Sequence, residues 1–116
     1  QEKNGTTIYV DPIMGDEGKL YNGVTPATIN SMREMVSVAD LTFPNYTEAC
    51  FLTHTAYKAD GISLNEVREL LDKLRNIGTK SVLITSVCVD GQHCVAAFKR
   101  GNKESHGRGL QFHRSE

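Results

Sequence analysis

An α/β fold, with a mostly parallel sheet, helices packed on it and an antiparallel hairpin near the C-terminus, is what this 116-residue sequence predicts. Three observations carry that reading. Short β-branched runs alternate with helical periodicities, the rhythm that right-handed βαβ crossovers produce. Capping residues punctuate the helix starts, at Thr25-Pro26, at Asn45 with Glu48, and at Ser63 with Glu66. Asp90-Gly91 between β-prone flanks marks a two-residue hairpin.

The elements follow in order. Thr6 to Val10 (TTIYV) reads as a strand that stops at Asp11-Pro12, where Pro removes a donor. Residues 14–23 (MGDEGKLYNG) have neither period and hold three glycines, which predicts a mobile loop. Ile29, Met32, Met35 and Val36 recur at helical spacing after Pro26, predicting a helix over about 26–38. Leu41-Thr42-Phe43 is a brief strand stopped by Pro44, and the Asn45/Glu48 box opens a short helix to about Leu52. Between Ser63 and Gly78, Val67, Leu70, Leu71, Leu74 and Ile77 form one apolar stripe. Ser81 to Val87 reads as a strand buried on both faces in its first half, and the hairpin leads into an antiparallel strand over Cys94 to Lys99. From Gly101 the apolar content collapses, so the tail is expected to be loosely ordered.

Composition narrows the function classes. Thirteen Lys+Arg balance 14 Asp+Glu for a formal charge of -1, so the broad basic field that nucleic acid requires is missing. No apolar run approaches the roughly 18 residues of a membrane helix, and a soluble, cytoplasmic protein is expected. Cys50, Cys88 and Cys94, an odd number in apolar or strand-like settings, fit reduced thiols. Cys88, His93 and Cys94 flank a hairpin without a paired C-x-x-C, which disfavours zinc.

In an open parallel sheet, ligands bind at the carboxyl ends of the strands. Asp11 stands after the first strand, Asn45 and Glu48 after the second, and Thr85-Ser86 near the end of the third. Carboxylates and hydroxyls converging on one edge suit a hydrated divalent cation and phosphate oxygens, pointing to magnesium-nucleotide chemistry. Each also has a plainer reading: Asp-Pro is a common turn, Asn45 and Glu48 are accounted for by the capping box, and Thr85 and Ser86 are ordinary strand-end residues.

The segments VDPIMGDEGKLY, FPNYTEA and LITSV, in that order and spacing, resemble the pyridoxal (pyridoxine) kinases of the ribokinase-like superfamily. The resemblance extends over nearly all of residues 6–109 and implies a three-layer ribokinase-like fold, of which this chain would be a central fragment. Hydroxymethylpyrimidine kinases share the DP and PNxxEA motifs but lack the GKLY lid, and they are one alternative; a non-enzymatic nucleotide-binding or interaction fragment that keeps the fold is the other. The resemblance implies ATP and Mg2+ as cofactors and a vitamin B6 compound as substrate. It also implies that Asp11 and Asp16 act near metal and phosphates, that Asn45 and Glu48 orient hydrated metal, with Asp11 and Glu48 as the metal carboxylates, that Thr85 and Ser86 contact ATP, and that Lys19 and Tyr21 belong to a closing lid.

Two departures matter. The family's ring-binding strands precede the DPxMGD motif, which lies near the start of this sequence. The family's Gly-Thr-Gly-Asp element, whose amides form an anion hole and whose Asp is the base, reads here as Gly107-Arg108-Gly109-Leu110. Gly107 and Gly109 are the surviving phosphate-loop candidates, and Leu110 cannot accept a proton, so no catalytic base is present. Deleting two bases from a codon run for His-Gly-Thr-Gly-Asp-Phe-Ser-Ser-Ile-Gly yields His-Gly-Arg-Gly-Leu-Gln-Phe-His-Arg, the sequence from His106 to Arg114. The expectation is therefore a partial nucleotide-binding domain over 1–105 and a frameshifted, degenerate tail over 106–116. Kinase activity of the chain itself should be lost, and an unpaired sheet edge should favour a homo-oligomer.

Overall fold

The structure, a computed structural model, describes residues 6–99 and the backbone of 110–114. Ten elements run in the order β1 (Tyr9–Val10), β2 (Gly15–Asp16), β3 (Lys19–Leu20), α1 (Pro26–Ser37), β4 (Leu41–Thr42), α2 (Tyr46–Thr53), α3 (Leu64–Ile77), β5 (Ser81–Val89), β6 (Gln92–Phe98) and β7 (Leu110–Arg114). The main sheet has the order β1-β4-β5-β6-β7, and β2-β3 form a separate hairpin. β1, β4 and β5 are parallel, whereas β6 and β7 are antiparallel to their neighbours.

Local chemistry explains the helices. Thr25 caps α1 and accepts from the Thr28 N–H, with Pro26 in the first turn. Asn45 and Glu48 close a reciprocal capping box on α2, and Ser63 and Glu66 do so on α3. Gly78 ends α3 at φ 137°, where an added Cβ would lie 2.4 Å from the Ser37 carbonyl oxygen.

Two crossovers, β1-α1-β4 and β4-α2-α3-β5, advance in the same direction across the sheet, so right-handedness puts their helices on one side. Paired residues share a face, and the set Val10, Thr42, Val82 is buried beneath that layer, together with Ile84 and Ala96. Against them pack Val36 of α1, Leu52 of α2 and Val67, Leu70, Leu71 and Leu74 of α3. The Arg75 guanidinium lies 3.7 Å from the Phe98 ring centroid, at the rim of that core. Among the described residues the fold thus shows two of the three expected layers.

Several expectations change. The segment read as a mobile loop contains the β2-β3 hairpin, and Met14 is completely buried. Its turn, Glu17-Gly18, has φ values of 50° and 80°, both positive, as tight hairpins demand. The first half of β5 is buried on one face only, because no helix among the described residues lies over the other. Met35 is 52% exposed, since the α1 stripe buries Val36 and, in part, Ile29 and Met32. The tail read as loosely ordered contributes β7, with Leu110 paired to Phe98 in the ladder. Gly107 and Gly109 lie outside the described residues.

Candidate functional site

β1, β4 and β5 are parallel, so the carboxyl ends of β1 and β4 fall at one level of the sheet, beside the middle of the longer β5. Asp11 follows β1 there with an exposed side chain, and its carbonyl oxygen accepts the Ile13 N–H at 2.8 Å to close a tight turn before Met14. Asn45 extends the β4 segment and bridges to Thr85 of β5, where the Thr85 N–H donates to the Pro44 carbonyl at 3.0 Å. Ser86 sits in a β-bulge: Ile84 pairs with Ala96 and Val87 with Cys94, leaving two residues of β5 against one of β6. Its φ of 60° is unusual for serine, and the bulge turns the exposed side chain out of the ladder. Asp11 and Asn45 stand just past the ends of β1 and β4, as the sequence predicts, whereas Thr85 and Ser86 lie within β5, which continues to Val89, at the level where Asn45 bridges to it.

Glu48 and Asn45 do more than cap α2. The Glu48 Oε2 atom accepts the N–H groups of Met14 at 2.9 Å and Gly15 at 3.4 Å, while Oε1 accepts the Asn45 N–H at 2.9 Å. The Asn45 side-chain amide donates back to the Gly15 carbonyl at 2.9 Å, and Asn45 Oδ1 accepts the Glu48 N–H at 2.8 Å. Glu48 is only 5% exposed, and the N-terminus of α2 adds a favourable partial charge. Further along the hairpin, the Gly18 N–H donates to Thr47 Oγ1 at 2.9 Å. The first turn of α2 therefore grips the β2-β3 hairpin at its base and its turn.

This clamp bears on metal binding. Both oxygens of Glu48 already serve backbone donors, and among the described residues no group of three or more His, Cys, Asp or Glu side chains could hold a metal ion. The donor set fits a cation that keeps its water shell and takes one protein carboxylate, the manner in which Mg2+ is usually bound. Asp11 is the exposed carboxylate at this level of the sheet that could take that place. Asp16, named beside it from the sequence, is exposed on the hairpin and accepts the Glu17 N–H at 2.9 Å through Oδ1. Lys19 is exposed on β3, and Tyr21, just past it, is 48% exposed with its N–H donated to the Met14 carbonyl at 2.8 Å.

Sequence reasoning missed Met14, Thr47, Gly18 and Tyr57 as parts of this site. The Tyr57 ring lies against Gly18, where a Cβ would come within 2.8 Å of it, and stacks at 5.1 Å on Tyr46. Tyr46 is buried, and burial pushes its hydroxyl up to about 12 despite the hydrogen bond it receives from the Lys58 N–H. The Cys50 thiol is likewise raised by burial. The one available signal was the Glu17-Gly18 pair between short polar strands.

No family model matches the chain. It is 36% identical over 93 residues to the pyridoxal kinase of Dictyostelium discoideum, a match taking in 78% of this chain and 28% of that protein. The structure resembles a Bacteroides thetaiotaomicron protein named a phosphomethylpyrimidine kinase and crystallised with pyridoxal, with a TM-score of 0.77 and 35% identity over 85% of this chain and 35% of that one. It also resembles pyridoxal kinase from Leishmania donovani in complex with ADP and ginkgotoxin, with a TM-score of 0.69 and 28% identity over 82% of this chain and 32% of that one. The chain spans less than a third of the length of the curated relative. The shared sequence and the shared arrangement of strands and helices together make this chain a member of the pyridoxal kinase family, with the ribokinase-like fold.

Proposed function

We propose that these residues form the nucleotide-facing part of an ATP-dependent pyridoxal kinase, a cytoplasmic enzyme that transfers the γ-phosphoryl of MgATP to the 5′-hydroxyl of a vitamin B6 compound. The observation that carries the reading is the placing of Asp11 and Asn45 at the ends of β1 and β4, with Thr85 and Ser86 of the β5 bulge alongside, beside a hairpin clamped to α2. In this reading Asp11 holds a hydrated Mg2+, which when bound supplies charge neutralisation at the phosphates. The Thr85 and Ser86 hydroxyls donate to phosphate oxygens, and Gly107 and Gly109 are the remnant of the anion hole. Lys19 and Tyr21 approach the nucleotide from the hairpin, whose position the Glu48 carboxylate sets.

Such a site works by positioning and charge stabilisation. It lacks the group that takes the hydroxyl proton, because Leu110 occupies the base's place in the sequence and lies in a strand ladder. The chain alone should therefore bind MgATP weakly and turn over no pyridoxal. The frameshift reading of residues 106–116 accounts for that loss, and sequencing the encoding DNA around His106 tests it. A phosphomethylpyrimidine substrate is the second reading, favoured by the name of the Bacteroides relative, although that protein was crystallised with pyridoxal.

Isothermal titration of the chain with ATP and Mg2+ tests the proposal, with weak saturable binding expected and Asp11→Asn reducing it at least several-fold. Equal heats for wild type and Asp11→Asn would remove Asp11 from the site. Pyridoxal phosphate formation at roughly 1 per second or faster, the ordinary kinase range, would overturn the inactive assignment.

A further inference from the structure

Asn22 and Gly23 are the middle pair of a tight turn that joins β3 to α1, closed by a backbone bond from the Val24 N–H to the Tyr21 carbonyl at 3.1 Å. Leu20 and Val24 on either side pack against the core, while Asn22 and Gly23 stand in solvent. Gly23 has φ 90°, and a Cβ built there would meet nothing within 4 Å. Among the described residues, neither the Asn22 side chain nor the Gly23 N–H has a hydrogen-bond partner. The other described asparagines are held. Asn30 and Asn76 lie within α1 and α3, the N–H after Asn65 donates to Ser63 Oγ, and the Asn45 side chain is engaged by Gly15 and Glu48.

We infer that Asn22 is a site of self-modification, where the side-chain amide is converted to a carboxylate and the isoaspartyl linkage is the principal product. The Gly23 backbone nitrogen gives up its proton to solvent and attacks Cγ of Asn22. The new N–Cγ bond closes a five-membered cyclic imide as the Cγ–NH2 bond breaks, and the amide nitrogen takes up a proton and leaves as ammonia. Water then opens the ring. Attack at Cγ gives aspartate, and attack at the main-chain carbonyl leaves the chain running through Cβ, the isoaspartyl form. Overall a water is consumed and an ammonia released, with no oxidant or reductant. Glycine is the residue that admits this step, because without a Cβ its nitrogen is open to approach and the chain around it turns freely. The turn gives up only an exposed backbone bond to reach the reactive geometry, and such segments open at low cost. The segment gains a negative charge. In the isoaspartyl form it also gains a methylene between Tyr21 and Val24, which loosens the bond that closes the turn and the link between hairpin and α1. The partner that fits the product is an S-adenosylmethionine-dependent enzyme that methylates isoaspartyl carboxylates. None of this depends on whether the site near Asp11 binds nucleotide.

The folded 116-residue chain, held for days at mildly alkaline pH and body temperature, is cut with trypsin, which separates residues 4–19 from 20–33 at Lys3, Lys19 and Arg33. The 20–33 peptide should show the mass gain of an amide-to-acid change, placed at Asn22 and not at Asn30 by fragmentation. It should also accept a methyl group from S-adenosylmethionine in the presence of an isoaspartyl methyltransferase. Asn22→Gln should abolish both signals in that peptide, and Asn30→Gln should leave them unchanged. Gly23→Ala should slow them roughly tenfold or more, with far-UV circular dichroism confirming that the strained alanine at φ 90° has not unfolded the chain. An Asn22 that stays an amide in the folded chain, whether or not urea releases it, would overturn the inference. So would acid appearing at Asn30 as fast as at Asn22, or methyl uptake by this peptide that survives Asn22→Gln.

Discussion

Glu48 shows how much one side chain can do when its lone pairs are counted. Three backbone N–H groups converge on its two oxygens, from Met14, Gly15 and Asn45. Glu48→Gln leaves one acceptor oxygen and turns an amide toward a donor. It should cost about 2–3 kcal/mol, the range of charge-assisted bonds, in denaturant unfolding, with faster hydrogen exchange at the Met14 and Gly15 amides. An unchanged midpoint would show that the clamp contributes nothing. Tyr46 makes a second residue-level case, its hydroxyl raised from 10.0 to about 12 chiefly by burial. Between those values the unfolded chain has lost the phenolic proton and the folded one retains it, so stability falls as pH climbs through that window. Unfolding free energies from pH 9 to 12 should show this slope in wild type, and Tyr46→Phe should flatten it.

The helices were legible because their signals are local. Asn45/Glu48 and Ser63/Glu66 are reciprocal boxes three residues apart, and the Val67 to Ile77 stripe spans three turns. The β2-β3 hairpin was not, because two-residue strands leave no period to read. Its order comes from Thr47, Glu48 and Tyr57, which are distant in sequence. Gly18→Ala tests that element: at φ 80° and with its new methyl 2.8 Å from the Tyr57 ring, it should lose more than about 1 kcal/mol. The lesion should appear as loss of the Tyr46–Tyr57 stacking signal in near-UV dichroism, while the far-UV helix signal persists. Equal stability for the two proteins would mean the hairpin does not need this close approach.

At the scale of the whole fold, the deciding feature among the described residues is that helices pack on one side of the sheet. Ile84 and Leu83 are neighbours on β5 with similar volume, yet Ile84 is fully buried beneath the helices and Leu83 faces the other way. Ile84→Ala should cost about 2–5 kcal/mol, and Leu83→Ala under about 1.5 kcal/mol in dilute protein, because only the first leaves a cavity. Comparable losses by chemical denaturation would mean that both faces are covered.

By itself, the sequence determined the helix boundaries, the Asp90-Gly91 hairpin and the strand-end positions of Asp11 and Asn45, since capping, turn geometry and the halting effect of Pro act within a few residues, whereas β5 runs on past Thr85 to Val89. Tertiary structure alone decided that the first turn of α2 would grip Met14, Gly15 and Gly18, that a bulge would turn Ser86 outward, and that Leu110 would enter a ladder beside Phe98. Those outcomes depend on which backbone donors and acceptors meet across long sequence separations. A buried carboxylate or an unpaired strand edge takes whatever partner the fold delivers, and composition and periodicity carry no record of that partner.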